Sequence, residues 1–189
     1  VVGERLYVIG SDEVSGDLEG AILVFDLNLT LVRIERSNPP AGIVTDGEYL
    51  FIASYDIRPG SGLWWRIEKR RLDLSLEKVF TSRKKGWMYG IGFNQATRQI
   101  YILGFIIGVG GTVDIFDENL NMLKNFTTSF LCGVVFDREG NGYAYGEDKV
   151  VKFDKSGNLL VTRPAWSLAG VYVGEKFYSL EGLSVSSLG

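Results

Sequence analysis

The side chains that carry most enzyme chemistry are scarce in this chain. It has no histidine, which removes histidine general bases, Ser-His-Asp triads and histidine-bound metals outright. There is no phosphate-binding loop, no dinucleotide fingerprint and no zinc-ligand spacing. The one cysteine, Cys132, lies between apolar neighbours. A small buried side chain is expected there rather than a reactive thiol, and no disulfide can form within the chain. Carboxylates remain. A calcium ion needs only oxygen ligands, so a calcium site stays open, with no ligand set assigned and no other cofactor expected.

Recognition is better provided for than reaction. Trp87 and Trp166 fall at nearly equivalent places, each just before a strand-like run, and Phe130 is close to the same place in a third run. Three aromatics in register could stack a sugar ring or grip a peptide side chain. The alternative is that they plug gaps between neighbouring sheets. Arg58 and Glu147 lie in loops of the same set, so the candidate ligand-binding residues are Arg58, Trp87, Phe130, Glu147 and Trp166. The basic clusters Arg83-Lys84-Lys85 and Arg66 to Arg71 have a blander reading as solvated strand faces. With 20 basic against 23 acidic residues and a net charge of −3, nothing favours a nucleic-acid partner.

The elements that must position these residues are repeats. Phe25-Asp26-Leu27-Asn28, Leu72-Asp73-Leu74-Ser75, Phe116-Asp117-Glu118-Asn119 and Phe153-Asp154-Lys155-Ser156 share the order apolar, Asp, any residue, Asn or Ser. A second marker keeps step with them: Ala41-Gly42-Ile43-Val44, Tyr89-Gly90-Ile91-Gly92, Cys132-Gly133-Val134-Val135 and Ala169-Gly170-Val171-Tyr172. Each unit holds short strand-like runs separated by turn residues. The cleanest predicts strands at Tyr89 to Phe93, Gln99 to Phe105, Thr112 to Phe116 and Asn121 to Thr127. Four antiparallel strands in about 40 residues make one blade of a β-propeller. The fold class is therefore all-β, a single propeller domain of four-stranded antiparallel blades. About four repeats (1–40, 41–88, 89–131 and 132–168) precede a partial fifth (169–189). The ends are out of phase with whole blades. Either the last residues complete an N-terminal blade, or, as expected here, the ring needs more units than this chain holds.

Both markers have a structural explanation. The Asp caps a hairpin turn once per blade, and the Gly is expected where innermost strands crowd a narrow axis. With 46% hydrophobic residues the chain packs a real core, and no run approaches the ~20 apolar residues of a membrane helix. Loops joining second to third strands, and loops joining one blade to the next, share one face. They are Ser11 to Gly20, Asp56 to Gly62, Ile107 to Gly111, Gly146 to Asp148, Asn38 to Pro40, Arg83 to Met88, Phe130-Leu131 and Pro164 to Trp166. Long, aromatic and charged loops on one side are what a binding surface needs.

The run Gly142-Tyr143-Ala144-Tyr145-Gly146-Glu147-Asp148-Lys149-Val150-Val151-Lys152-Phe153-Asp154-Lys155-Ser156-Gly157-Asn158-Leu159 resembles an NHL-type propeller repeat. That family favours a Gly-aromatic strand, a short polar loop and a strand ending in Phe-Asp before a Gly-containing turn. The other units are similar to YVTN-type and gluconolactonase-like propeller repeats. The likeness implies the fold, and it leaves function open because propellers host many activities. Gluconolactonase-like propellers imply a calcium site at the central channel, but its ligands do not map onto this chain residue by residue. The expected function is a non-enzymatic binding module for protein, peptide or glycan. The alternatives are a metal-dependent lactonase or hydrolase, and a structural repeat domain of a larger surface or secreted protein. Nothing in the sequence fixes the compartment.

Overall fold

The computed structural model describes residues 1–14, 17–58, 62–146, 149–164, 170–173 and 176–179, with side chains outside that description at 12–14, 17–18, 58, 83–84 and from 170 onward. Among the described residues every regular element is a strand. Blade 1 holds β1 (Arg5–Val14), β2 (Asp17–Asp26) and β3 (Leu31–Ser37) in that order. Blade 2 holds β4 (Pro40–Thr45), β5 (Tyr49–Arg58), β6 (Gly62–Arg71) and the first part of β7 (Leu76–Asn94). The second part of β7 starts blade 3, followed by β8 (Gln99–Ile106), β9 (Gly110–Asp117) and β10 (Met122–Thr128). Blade 4 is β11 (Gly133–Phe136), β12 (Gly142–Tyr145), β13 (Lys149–Phe153) and β14 (Leu159–Pro164), and β15 (Gly170–Val173) with β16 (Lys176–Ser179) opens a fifth unit. All pairings join consecutive strands antiparallel.

Each core lies between blades, because successive residues of a strand point to opposite faces. In β5, Leu50 and Ile52 pack backward on Ile22 and Val24 of blade 1. Their neighbours Phe51 and Ala53 pack forward with Trp65 and Ile67 against Met88, Ile100, Ile102 and Phe116 of blade 3. Blade 3 repeats the device with Tyr101, Leu103, Val113 and Ile115, which meet Val134, Ala144, Val151 and Phe153 of blade 4. A strand buried on both faces reads as a continuous apolar run, as Leu50 to Ala53 and Ile100 to Leu103 do.

The recurring inner glycine sits, as expected, where innermost strands crowd one another. A Cβ on Gly42 would lie 2.6 Å from Ile91 Cγ2 of the next blade, and one on Gly90 would collide with the Cys132 carbonyl oxygen. Gly42 and Gly90 make room for the next blade's first strand, whereas Gly133 is crowded by the Tyr145 ring of its own blade.

The aspartates cap turns as expected, with one change of register. Asp26, Asp117 and Asp154 each accept backbone N–H bonds from residues two and four further on, at 2.8–2.9 Å. Asp137 does the same in the first turn of blade 4. Three residues after each aspartate the backbone turns left-handed: Leu29 at φ 61°, Leu120 at 57°, Gly140 at 88° and Gly157 at 71°. In blade 2 the left-handed residue is Leu74 at φ 70°, so Arg71 begins that turn and Asp73 sits two residues late. Asp73 still accepts the Ser75 N–H at 2.9 Å. The strand ladder fixes the turn, and an aspartate anywhere in it finds a donor.

Three further stretches differ from the sequence reading. Ser11 to Gly20 and Asp56 to Gly62 are not open loops. The ladders continue to Val14↔Asp17 and Arg58↔Gly62, which satisfies backbone groups that a loop would leave to water. Arg83 to Met88 is strand too: β7 pairs with β6 as far as Lys85 and with β8 from Gly86. Residues Arg66 to Arg71 lie on a third strand rather than an outer one. There Glu68 is buried between Arg66 Nε at 2.7 Å and Arg70 Nε at 2.6 Å, on the face that packs toward blade 1.

Candidate functional site

The hairpin tips between second and third strands lie beside the blade-to-blade passages, as alternating strand direction requires. The Ile107 N–H donates to the Lys85 carbonyl, and the Tyr55 N–H to the Pro39 carbonyl. On this face β7 crosses from blade 2 to blade 3 and carries the most exposed described aromatics. Trp87 is 43% exposed and Tyr89 38%. The ladder with β8 shifts register between Met88 and Gly90, a bulge that turns Tyr89 out of the pairing pattern. Met88, between the two rings, is buried in the core facing blade 2. The Tyr55 hydroxyl holds it there, donating to the Met88 carbonyl and accepting the Met88 N–H, both at 2.8 Å.

Each exposed ring has an aromatic support. Trp87 leans on Phe105 with centroids 6.1 Å apart, and Tyr89 meets Phe130 edge to face at 4.4 Å. Ile107 and Val109, at the tip between β8 and β9, are exposed beside them. Lys85 lies over the Trp64 ring at 5.3 Å and supplies a cation at the border. Burial pushes the Tyr89 phenol above its ordinary pKa, with Cys132 adding to the shift. The ring is therefore neutral at physiological pH and offers a hydroxyl donor.

Of the residues chosen from sequence, Trp87 and Phe130 lie on this patch, each packed against another ring rather than against each other. Arg58 ends β5 at the β5–β6 tip, and its side chain lies outside the described residues, as do Glu147 and Trp166 altogether. Tyr89 and Phe105 were missed. Tyr89 had a signal: it opens the glycine marker where the other units place Ala41, Cys132 and Ala169. An open cleft of about 320 Å³ lies on the same face between blades 1 and 2, bordered by Glu19, Arg36, Asn38, Pro39 and Ile57. Among the described residues no group of three or more Asp, Glu or Cys is placed to hold a metal ion, and no helix is long and apolar enough to cross a membrane.

No protein-family model matches the chain, and no curated protein matches it. Solved structures do match, at identities that speak to fold alone. The β-propeller domain of the trilobed protease from Pyrococcus furiosus aligns at TM-score 0.58 and 16% identity, over 92% of this chain and 57% of that one. The Pan2 WD40 domain of Neurospora crassa aligns at 0.61 and 12%, over 83% and 49%. A gluconolactonase from Xanthomonas campestris aligns at 0.53 and 15%, over 80% and 60%. The chain thus spans about half of the structures it matches, and its fold is that of a β-propeller.

Proposed function

We propose that this propeller is a non-enzymatic binding module whose ligand, a protein, peptide or glycan, lies across the face carrying Trp87, Tyr89, Phe105 and Phe130. The observation that carries the reading is the exposure of Trp87 and Tyr89 side by side around a buried, doubly bonded Met88. Leaving two large rings in water has a cost that burial against a partner recovers, and aromatic anchors dominate binding surfaces. Arg58, at the end of β5, borders the same face in this reading, Glu147 and Trp166 remain candidates from the sequence, and the reading calls for no cofactor.

The lactonase alternative draws only on fold likeness, which does not transfer an activity. The test is a printed glycan array and a displayed random-peptide library, screened with the protein and with two variants. Trp87→Ala should abolish the selected signals, while Asn119→Ala, in a turn at the other end of the blades, should leave them intact. Signals lost with Asn119→Ala and kept with Trp87→Ala would put the site on the wrong face.

A further inference from the structure

Residues 83–89 read Arg-Lys-Lys-Gly-Trp-Met-Tyr, with three cations and no carboxylate, in a chain whose net charge is −3. The structure places all seven in β7, on the passage from blade 2 to blade 3. From Lys85 onward exposure alternates strictly. Lys85, Trp87 and Tyr89 are exposed, and Gly86 and Met88 between them are buried. The crossing strand thus shows solvent a cation, a ring and a second ring in that order, at about 6.6 Å per step. Lys85 is held at both ends. Its ammonium lies 5.3 Å from the centre of the Trp64 ring, and its carbonyl accepts the Ile107 N–H at 3.2 Å. Arg58 ends β5 at the β5–β6 tip of blade 2 on the same face. Ile107 and Val109, both exposed, border the rings from blade 3.

We propose that the occupant of this platform is an acidic peptide in extended conformation. It sets a carboxylate against Lys85 and apolar side chains, two and four residues along, on Trp87 and Tyr89. The proposal rests on the binding-module reading above and names the partner which that reading leaves open. Three features choose this occupant. An extended peptide repeats its same-side residues at the spacing of β7 itself, so one carboxylate and two apolar groups meet one cation and two rings in step. A positive stretch on a negative protein draws an anionic partner and repels a cationic one. The borders then separate peptide from glycan and from nucleic acid. A sugar calls for several hydrogen-bonding side chains around the rings, whereas Ile107 and Val109 offer alkyl surface and Tyr89 a single hydroxyl. A nucleic acid calls for cations along its whole backbone track. On the blade 3 side residues 86–97 and 99–116 contain no Lys or Arg.

Fluorescence polarisation with labelled synthetic peptides tests the proposal. One peptide carries Glu-Ser-Leu-Ser-Phe and a second the reversed order, because either chain direction gives the same spacing. Each has counterparts with Gln or Lys in place of Glu. In at least one direction affinity should fall from Glu to Gln to Lys, and Trp87→Ala should abolish binding of all of them. Lys85→Glu should weaken the Glu peptide by about tenfold and strengthen its Lys counterpart. That reversal is one that a damaged fold does not produce. Binding that depends on Trp87 but ignores the charge of the peptide would overturn the proposal and leave the binding-module reading standing. So would Trp87-dependent signals confined to the glycan array, or tighter binding of a labelled oligothymidylate than of the Glu peptides. The absence of a Trp87-dependent signal from every probe would overturn both.

Discussion

Leu29 and Leu120 stand at the same turn position, both left-handed at φ 61° and 57°, yet replacing them with glycine should move stability in opposite directions. The left-handed conformation costs an L-residue about 1–2 kcal/mol, and glycine escapes it. Glycine gives back about 0.5–1 kcal/mol through the extra freedom of its unfolded state. Leu29 is 68% exposed, so losing its side chain takes away a few tenths of a kcal/mol of burial at about 25 cal/mol per Å². Leu29→Gly should therefore stabilise the fold by about 0.5 kcal/mol. Leu120 is only 3% exposed and belongs to the core between blades 2 and 3. Removing a buried leucine side chain costs about 2–5 kcal/mol, so Leu120→Gly should destabilise by about 1.5–4 kcal/mol after the backbone gain. Urea unfolding followed by tryptophan fluorescence and circular dichroism, with equal m-values, measures both. Equal shifts for the two variants, or a clear loss for Leu29→Gly, would refute the view that packing offsets the left-handed strain at Leu120 and not at Leu29.

Two other expectations rest on charge. At Asp137, burial pulls the carboxyl upward, but hydrogen bonds from the Asn141 side chain and backbone, Tyr143 and the Glu139 backbone outweigh it and hold the pKa below the ordinary value; bonds from Asn121 and Asn119 do the same at Asp117. A depressed folded-state pKa gives stability that is complete above the unfolded value, about 3.9, and is lost as pH falls through the folded one. Urea midpoints should be flat down to about pH 5 and fall steeply below about pH 4, with Asp137→Asn flattening that fall; a fall centred near neutrality would contradict this. Glu68→Gln should cost about 3 kcal/mol by leaving two guanidinium groups without their shared carboxylate, while Glu35→Gln, in the exposed pair with Arg33, should change stability by less than about 0.5 kcal/mol.

The repeat was legible because each blade spends its residues in the same way. Ile100-Tyr101-Ile102-Leu103 alternates between two cores, and Asp117 takes the same backbone bonds as Asp26. The unbroken β7 was not legible. Arg83-Lys84-Lys85-Gly86 has the composition of a turn, and only pairing with β6 on one side and β8 on the other keeps it extended. Gly86 at the crossover lets the Phe105 carbonyl approach where a Cβ would collide with it. The buried Glu68 was hidden for a related reason. Its two arginines are its neighbours at i−2 and i+2 on one strand face, a pattern that looks the same when the face is in water. Trp87 was legible as a large aromatic at a blade junction. The sequence could not say whether its ring would plug the gap or face solvent, because what packs against the ring is set by the folded chain.

The strand that crosses between blades ties the exposed patch to the core. Trp87 and Tyr89 are separated by one residue, and that residue, Met88, is buried with both its backbone groups bonded to the Tyr55 hydroxyl. The two rings are thus fixed at their shared backbone by blade 2 and at their outer edges by Phe105 and Phe130. Side chains held this way have little rotamer freedom left to lose when a ligand arrives, which lowers the cost of binding. A hairpin tip has no such anchorage, so the strand crossing between blades is the stronger place to look for recognition than the long hairpins on either side of it. The rule that puts β5 in two cores at once also makes Met88 a core residue with an aromatic on each side of it. Two exposed rings one residue apart, with a buried and doubly bonded residue between them, are enough to build a rigid aromatic platform from a strand.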